Sequence, residues 1–245
     1  MQILPSLDPT KAPFLTVVCC VHGNEYFGLT VFNALKNNTQ ERQDIVLILA
    51  NEEAMEKDVR FVESDLNRSF PGRADGSKEE RLAAALLSEI ARTRYVLDIH
   101  TTTAAIRLLP IISNLDEDTK RIVHFTDAEE VAYMNRAMSE HALIGQVLAG
   151  VSLEYGDRYA ETPEALSGVI SLIDHLRSEE DGATPRPRKL FHVTGMIEKT
   201  IDLPPDAKDF DFLPAASAYP ILLHEHAYAD RFHALKAERV EDVTI

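Results

Sequence analysis

The chain has 245 residues, of which 45% are hydrophobic and 27% are charged, a composition typical of a globular protein with one sizeable core or one main domain and a smaller one. Its formal net charge of -15 argues against nucleic acid or an anionic membrane as a partner, because both repel an acidic protein. No targeting segment and no apolar run near the roughly 20 residues of a bilayer span is found. We therefore expect a cytoplasmic protein, with homo-oligomerisation left open.

Short apolar runs alternate with amphipathic segments along the first two thirds of the chain. Buried strands are predicted at residues 14–21, 45–50, 95–99 and 150–155. Helices are predicted at residues 78–92, 128–141 and 162–177, the first of them introduced by Ser77 and Glu80 in capping-box spacing. This alternation predicts an α/β fold with a doubly wound, mixed and mostly parallel sheet.

The character of the sequence changes near residue 180. Residues 178–188 (SEEDGATPRPR) are charged, contain Gly and two Pro, and show no periodicity, which is typical of a linker. Strands are predicted beyond it at residues 190–201 and 219–226. The sequence thus predicts a catalytic domain over residues 1–180 and a small β-rich domain over residues 188–245.

Two histidines stand where predicted strands end. His22 follows the first strand and is part of an H-x-x-E motif with Glu25, and His100 follows the strand at 95–99. Because parallel strands end at the same edge of a sheet, these side chains are expected to meet. Two His and one Glu form a known catalytic zinc set. Asp98 lies on the same strand face as His100 and is expected to orient its imidazole.

Four motifs occur in order, namely HGNE at residues 22–25, DLNRSFPG at 65–72, DIHTTT at 98–103 and SLEYG at 152–156. Together they resemble the signatures of the succinylglutamate desuccinylase/aspartoacylase family, relatives of the zinc carboxypeptidases. The stretch YPILLHEHAYAD at 219–230 is similar to a late segment of aspartoacylases that returns a tyrosine to the active site. The resemblance implies a sheet of zinc-carboxypeptidase type.

The resemblance also implies a role for each matching residue. One zinc ion per chain would be held by His22, Glu25 and His100. Glu154 would be the general base for the attacking water, and Arg60 would polarise the scissile carbonyl and stabilise the oxyanion. Substrate contacts would come from Asn67, Arg68 and Tyr228.

Simpler interpretations of the same residues remain beside these roles. Without the flanking motifs, Arg60 and Arg68 would be interpreted as surface ion-pair partners of Glu63 and Asp65. Tyr228 would be interpreted as an aromatic residue packing within the β-rich unit.

The expected activity is that of a zinc-dependent hydrolase that cleaves the amide bond of a small anionic N-acyl amino acid. Two alternatives remain, a carboxypeptidase-type peptidase acting on short peptides and a non-catalytic metal-binding module of the same fold. Ile144 stands where aspartoacylases carry an arginine that contacts the amino-acid side chain, and Arg136 and Arg158 are candidates to replace it. The acyl group and the amino acid are left open by the sequence.

Overall fold

The computed structural model describes residues 1–4, 12–37, 44–178, 186–228, 230–240 and 243–244. In this part of the chain, eleven strands form one mixed sheet in the order β1-β3-β2-β4-β7-β5-β6-β8-β10-β9, with β11 paired to β8. The strands are β1 Gln2–Leu4, β2 Leu15–Cys19, β3 Ile45–Leu49, β4 Tyr95–Thr102, β5 Leu108–Ile112, β6 Glu130–Tyr133, β7 Gly150–Gly156, β8 Pro187–Glu198, β9 Tyr219–Ile221, β10 Phe232–Arg239 and β11 Val243–Thr244.

Four parallel strands, β3, β2, β4 and β7, lie side by side in the sheet. Every residue of β2 (LTVVC) and of β3 (IVLIL) is buried, as continuous apolar strands in a sheet covered on both faces should be. β5 runs antiparallel to β7, and β6 and β8 then continue in parallel with β5. The predicted strands of the first domain are confirmed, with ends shifted by a few residues.

Helices cover both faces of this sheet. They are α1 Tyr26–Lys36, α2 Glu52–Glu56, α3 Lys78–Ile90, α4 Glu117–His124, α5 Leu143–Gln146, α6 Asp157–Ala160 and α7 Pro163–Arg177. Apolar side chains of α1, α4 and α7 share one core cluster with β2 and β4, whereas those of α3 form a second cluster with β3. The capping box of Ser77 and Glu80 is present at the start of α3. The predicted α/β class is confirmed.

Two predictions of local structure are wrong. In place of the helix expected at 128–141, the structure has the four-residue strand β6 followed by a run of turns. The hydrogen-bond ladders of β6 with β5 and β8 override the weak helical pattern of these residues. The strand expected at 219–226 ends at Ile221, since Leu222 and His224 have φ angles of 56° and 63° and leave the extended region.

The C-terminal strands continue the main sheet. β8 pairs in parallel with β6, and β10 pairs antiparallel with both β8 and β9. Residues 179–185 of the predicted linker lie outside the described residues, and the division into domains at 1–180 and 188–245 stays a prediction. Among the described residues, no helix has the length and apolar character needed to cross a membrane.

Candidate metal centre and active site

The carboxyl ends of three neighbouring parallel strands bring the first candidate residues together. His22 follows β2, His100 lies in β4, and Glu154 lies in β7 directly opposite His100 in the ladder. β4 extends to Thr102, so His100 is fixed by strand hydrogen bonds. The backbone register of the sheet thus determines how these side chains are spaced.

His22, Glu25 and His100 form a compact buried cluster. Glu25 Oε1 lies 2.7 Å from Nδ1 of His22, and Glu25 Oε2 lies 2.9 Å from Nδ1 of His100. One ligand atom from each residue lies within 4.8 Å of the others, the only such set of His, Cys and acidic residues in the part of the chain that the structure describes. Two imidazole nitrogens and a carboxylate around one point fit a divalent metal such as zinc.

A tight turn after β2 delivers Glu25 to this cluster. Gly23 packs so closely on α2 that a Cβ atom there would lie 2.2 Å from the carbonyl carbon of Ala54, so a larger residue would push the turn away from α2. α1 begins at Tyr26, immediately after Glu25. The HGNE motif therefore combines a close backbone approach with two side chains that return to the strand ends.

The far ring nitrogen of each histidine faces another carboxylate. His22 Nε2 lies 3.1 Å from Asp65 Oδ1, and His100 Nε2 lies 2.8 Å from Asp98 Oδ2. The second contact is an ion pair only, since among the described residues neither oxygen of Asp98 has a partner in hydrogen-bond geometry. Carboxylates in this position orient metal-binding imidazoles. The structure thus places Asp98 as expected, and it adds Asp65, whose side chain the sequence analysis did not assign to the centre.

The opposite charges of the histidines and carboxylates in the cluster shift one another's pKa values. Burial on its own would lower the pKa of His22, but the carboxylates of Glu25 and Asp65 outweigh burial and raise that pKa. Burial would raise the pKa of Glu25, yet the two histidines hold it well below its ordinary range. Burial, aided by the charge of Glu25, raises the pKa of Glu154 to about 7. The centre is thus a strongly coupled set of buried ionisable groups.

Arg60 lies at the rim of the same cluster. Its Nε donates to Asp65 Oδ2 at 3.1 Å, and its Nη1 lies 3.5 Å from Glu25 Oε1. The following loop is held by the buried carboxylate of Glu79, which accepts backbone N–H groups of Val62, Glu63 and Ser64. Glu79 was missed from sequence because an acid in the first turn of a helix is ordinarily a solvated one.

Asn67 and Arg68 lie on the short 3₁₀ helix Leu66–Arg68 that follows this loop. Asn67 Oδ1 accepts the N–H of Leu143 at 3.0 Å, which fixes the orientation of the amide, and Asn67 Nδ2 lies 3.3 Å from His100 Nε2. Arg68 is exposed and donates from Nη1 to the carbonyl of Asn67. Arg68 therefore remains accessible to a ligand, and the assignment of Asn67 to a substrate contact stays a prediction.

A cavity of about 410 Å³ adjoins the cluster and brings in the C-terminal segment. Arg60, Asp65, Arg68 and Tyr228 are all part of its lining. Burial raises the pKa of the Tyr228 phenol to about 12, and the guanidinium of Arg68 partly offsets this rise. The structure thus brings Tyr228 to the same cavity as the residues of the DLNR motif.

Neither substitute arginine lines this cavity. Arg136 is exposed and donates to the carbonyl of Val147, and Arg158 is exposed on α6. Ile144 is buried in an apolar cluster. The arginine that aspartoacylases carry at that position therefore has no replacement at either of the two residues considered.

One carboxylate fastens the segment that carries Tyr228 to the end of β4. Glu225 Oε2 accepts from the hydroxyl of Thr102 at 2.5 Å and from the N–H of Thr103 at 2.9 Å, and Glu225 Oε1 accepts the N–H of Ala227. Thr103 Oγ1 in turn accepts the N–H of His226. The sequence analysis missed Glu225, although it stands three residues before Tyr228 in the late segment.

Comparisons with known proteins identify the family of the chain. Residues 11–166 match the family model of the succinylglutamate desuccinylase/aspartoacylase catalytic domain. A succinylglutamate desuccinylase from Pseudomonas fluorescens is 35% identical over 95 residues, which cover 33% of this chain and 28% of the relative. An N-alpha-acetyl-L-2,4-diaminobutyric acid deacetylase from Halomonas elongata is 26% identical over 81% of this chain and 59% of the relative. The matched parts thus span less than two thirds of either curated relative.

Solved structures show the same fold. Murine aminoacylase 3 superimposes with a TM-score of 0.73 at 19% identity, covering 98% of this chain and all of that one (100%). The succinylglutamate desuccinylase from Chromobacterium violaceum gives a TM-score of 0.70 at 19% identity, covering 96% and 86% of the two chains. With more than half of its length matched by the family model, the chain belongs to the succinylglutamate desuccinylase/aspartoacylase family.

Proposed function

We propose that this protein is a zinc-dependent deacylase that hydrolyses the amide bond of a small anionic N-acyl amino acid. The observation that carries the proposal is the buried cluster of His22, Glu25 and His100 beside Glu154. These three residues would hold one zinc ion, which when bound supplies a Lewis acid that activates water and polarises a carbonyl. The cytoplasmic location and the oligomeric state stay predictions from the sequence.

Glu154 is the residue assigned to proton transfer. It is half-buried and lies opposite His100 in the β4–β7 ladder, so its side chain leaves the sheet on the same face as that of His100. A carboxylate in that place can accept a proton from the attacking water and deliver it to the leaving nitrogen.

Arg60 and Arg68 are assigned to the negative charges of the reacting molecule. Arg60 Nη1 lies 3.5 Å from Glu25 Oε1 and its Nε pairs with Asp65, which keeps a guanidinium beside the cluster where it can stabilise a developing oxyanion. Arg68 is exposed in the lining of the cavity and suits a substrate carboxylate, because its planar fork binds two oxygens at once. Tyr228 forms part of the wall next to them.

The names of the curated relatives support the proposed deacylase activity. They include succinylglutamate desuccinylases, a deacetylase of an N-acetylated amino acid and a probable aspartoacylase. Each of these names describes removal of an acyl group from an amino acid. The shared chemistry is amide hydrolysis, and the acyl group and amino acid differ among them.

The proposal is tested by turnover of zinc-loaded protein on a panel of N-acetyl and N-succinyl amino acids and unblocked dipeptides. We expect hydrolysis of acylated amino acids, and a fall of about 100- to 10,000-fold in kcat for Glu154→Gln with the zinc content unchanged. Glu140→Gln, an exposed acid on a surface turn, is the matched control and should keep wild-type activity.

Two other outcomes would replace the proposal. Cleavage confined to dipeptides would establish the peptidase alternative, in which Arg68 binds the C-terminal carboxylate of a peptide. Stoichiometric zinc binding without hydrolysis of any substrate in the panel would establish a metal-binding module. Unchanged activity in Glu154→Gln would remove Glu154 from the mechanism.

A further inference from the structure

A buried carboxylate at the start of α3 holds the backbone of the loop that follows Arg60. Glu79 is only 1% exposed. Its Oε1 accepts the N–H of Val62 at 2.7 Å, and its Oε2 accepts those of Glu63 and Ser64, each at 3.1 Å. Successive backbone N–H groups that converge in this way form an anion-binding nest. One carboxylate thus fixes three consecutive residues of the loop.

The strength of this attachment depends on the negative charge of Glu79. Burial on its own would raise the pKa of Glu79, but the backbone N–H groups of the loop and the side-chain amide of Asn51 outweigh burial and lower that pKa. Hydrogen bonds to an ionised acceptor are shorter and stronger than those between neutral groups. A neutral side chain of the same size would therefore hold the loop less firmly.

Glu79 is itself fixed relative to the strand ends that carry the metal cluster. The apolar side chains of α3 pack against β3 in one core cluster. The side-chain amide of Asn51 donates to Glu79 Oε1 at 3.4 Å, and the N–H of Asn51 donates to the carbonyl of Cys20, the residue after β2, at 3.0 Å. The loop is thus held by a carboxylate whose position is set by the sheet edge that leads to His22.

The residues held by Glu79 separate the two partners of an ion pair at the metal cluster. Arg60 stands two residues before Val62, and Asp65 directly follows Ser64. Nε of Arg60 donates to Asp65 Oδ2 at 3.1 Å, and the carbonyl of Arg60 accepts the N–H of Gly23 at 3.1 Å. Among the described residues, Glu79 hydrogen-bonds to neither side chain of this pair. Its influence on Arg60 therefore passes through the loop backbone.

We infer that Glu79 is a positioning residue for the reaction, whose charge fixes the loop backbone so that the guanidinium of Arg60 is held beside the metal cluster before the substrate binds. This inference rests on the function proposed above for the same site. A donor that is already in place stabilises a developing oxyanion without any cost of reorganisation. A displaced Arg60 should therefore weaken the transition state more than the binding of the substrate.

The first measurement compares kcat and KM of Glu79→Gln and wild-type protein on an N-acyl amino acid that the wild type hydrolyses. Glutamine keeps the size of the side chain but has one acceptor oxygen and no charge, so part of the nest loses its acceptor. We expect kcat to fall by about 10- to 100-fold, the effect of a displacement on the order of 1 Å. KM should change by less than about threefold, and the zinc content should stay the same.

Glu80→Gln is the matched control, because Glu80 lies in the same turn of α3 and accepts the N–H of Ser77 rather than that of a residue at 62–64. It should keep the kcat of the wild type. Glu79→Asp, which keeps the charge on a shorter side chain, should have a kcat between those of the wild type and Glu79→Gln. An equal loss of kcat in Glu79→Gln and Glu80→Gln would overturn the inference.

A double-mutant cycle decides whether Glu79 acts through Arg60. When Arg60 is already replaced by Gln, the further change Glu79→Gln should lower kcat by less than about twofold. A further fall of about tenfold or more would mean that Glu79 supports the site by another route, and it would overturn the inference while leaving deacylation intact.

A second measurement does not depend on turnover. NMR spectra of the zinc-loaded protein report how fast the Nε–H of Arg60 and the backbone N–H groups of residues 62–64 exchange with solvent, and Arg60→Lys identifies the side-chain signal. We expect this exchange to be at least about tenfold faster in Glu79→Gln and unchanged in Glu80→Gln. Unchanged exchange in Glu79→Gln would overturn the inference.

The two measurements keep failure of the inference apart from failure of the proposed function. If the protein hydrolyses nothing, the proposed function fails, and the exchange rates still decide whether Glu79 holds Arg60 in place. If Glu79→Gln does not fold, Glu79→Asp takes its place in both measurements, with expected effects of about three- to tenfold in the same direction. Wild-type kcat and exchange in Glu79→Asp would then overturn the inference.

Discussion

The metal edge of the sheet and the wall that carries Tyr228 are built in different ways. His100 and Glu154 are strand residues whose spacing follows from the β4–β7 ladder. Tyr228 and Arg231 lie on a short 3₁₀ turn and the residues after it, and Glu225 ties this segment to Thr102 and Thr103. The metal cluster is thus positioned by the backbone of the sheet, whereas the segment that carries Tyr228 is held by a few side-chain contacts. A substitution can therefore alter that segment without altering the cluster.

The largest expected effect comes from breaking the metal edge. His100→Ala removes one of the three proposed ligands and leaves the buried carboxylate of Asp98 without the imidazole it faces. Metal binding and activity should both be lost, and activity should fall by more than about 1,000-fold. Zinc content by mass spectrometry and hydrolysis of an N-acyl amino acid are the two measurements.

His175→Gln is the control for that variant, because His175 is exposed on α7. It should bind zinc and hydrolyse substrate as the wild type does. A His100→Ala protein with a full complement of zinc would remove His100 from the ligand set.

The next largest expected effect is on the free energy of unfolding, at the point where β7 meets the loop that follows β4. A Cβ atom at Gly156 would lie 1.9 Å from the carbonyl oxygen of Ile106. Gly156→Ala must therefore shift backbone at the end of the strand that carries Glu154, and it should lower the free energy of unfolding by about 2 to 4 kcal/mol.

Gly168→Ala gives the opposite expectation in the same measurement. Gly168 lies within α7, and a Cβ atom there meets nothing within 4 Å. Since Ala is the better helix former, this variant should gain up to about 1 kcal/mol in urea unfolding. Equal stabilities of the two variants would contradict the close packing at Gly156.

Loss of the hydrogen bonds between Glu225 and the end of β4 should reduce activity without loss of the metal. Glu225→Ala leaves the N–H groups of Thr103 and Ala227 without their acceptor. We expect kcat/KM to fall by about 10- to 100-fold through a misplaced Tyr228, with the zinc content unchanged. Loss of zinc from this variant would show that the two regions are not separable, and Glu140→Ala serves as the surface control.

The smallest expected effect concerns protein stability and involves Asp209, which lies between β8 and β9. Burial raises the pKa of Asp209 to about 7, and its Oδ1 accepts the N–H of Leu223. Because the folded protein holds this proton more tightly than the unfolded chain, Asp209 lowers stability as the pH rises from about 4 to about 7.

Asp209→Asn should remove this loss and be more stable than the wild type by on the order of 1 kcal/mol at about pH 8, with little difference at about pH 4. Urea unfolding at the two pH values measures it. Asp211→Asn, an exposed neighbour, should show no such dependence. A constant difference at both pH values would mean that Asp209 does not titrate in this range.

The parts of the molecule that could be predicted from sequence are those with a local signal. Continuous apolar runs predicted β2 and β3, and the spacing of His22 and Glu25 predicted a pair whose Nδ1 and Oε1 atoms the structure places 2.7 Å apart. β6 was taken for a helix because four residues carry too little periodicity to outweigh the flanking pattern.

The residues that were missed act through contacts that no spacing reveals. Asp65 reaches His22 across 43 positions, and Glu225 reaches Thr102 across 123. Glu79 holds a loop that lies 15 to 17 positions away from it. In each case the partner is determined by tertiary packing, so a sequence pattern can identify the acid but not what the acid holds.

The pairing of β8 with β6 has a consequence for how the chain folds as it is made. The family match ends at residue 166, but β6 lies between β5 and β8, and β8 begins only at Pro187. Until β8 has left the ribosome, one side of β6 presents unpaired backbone groups, which invite pairing with other chains. A fragment cut before residue 187 should therefore aggregate, because it contains β6 but lacks β8, the strand that covers this side of β6.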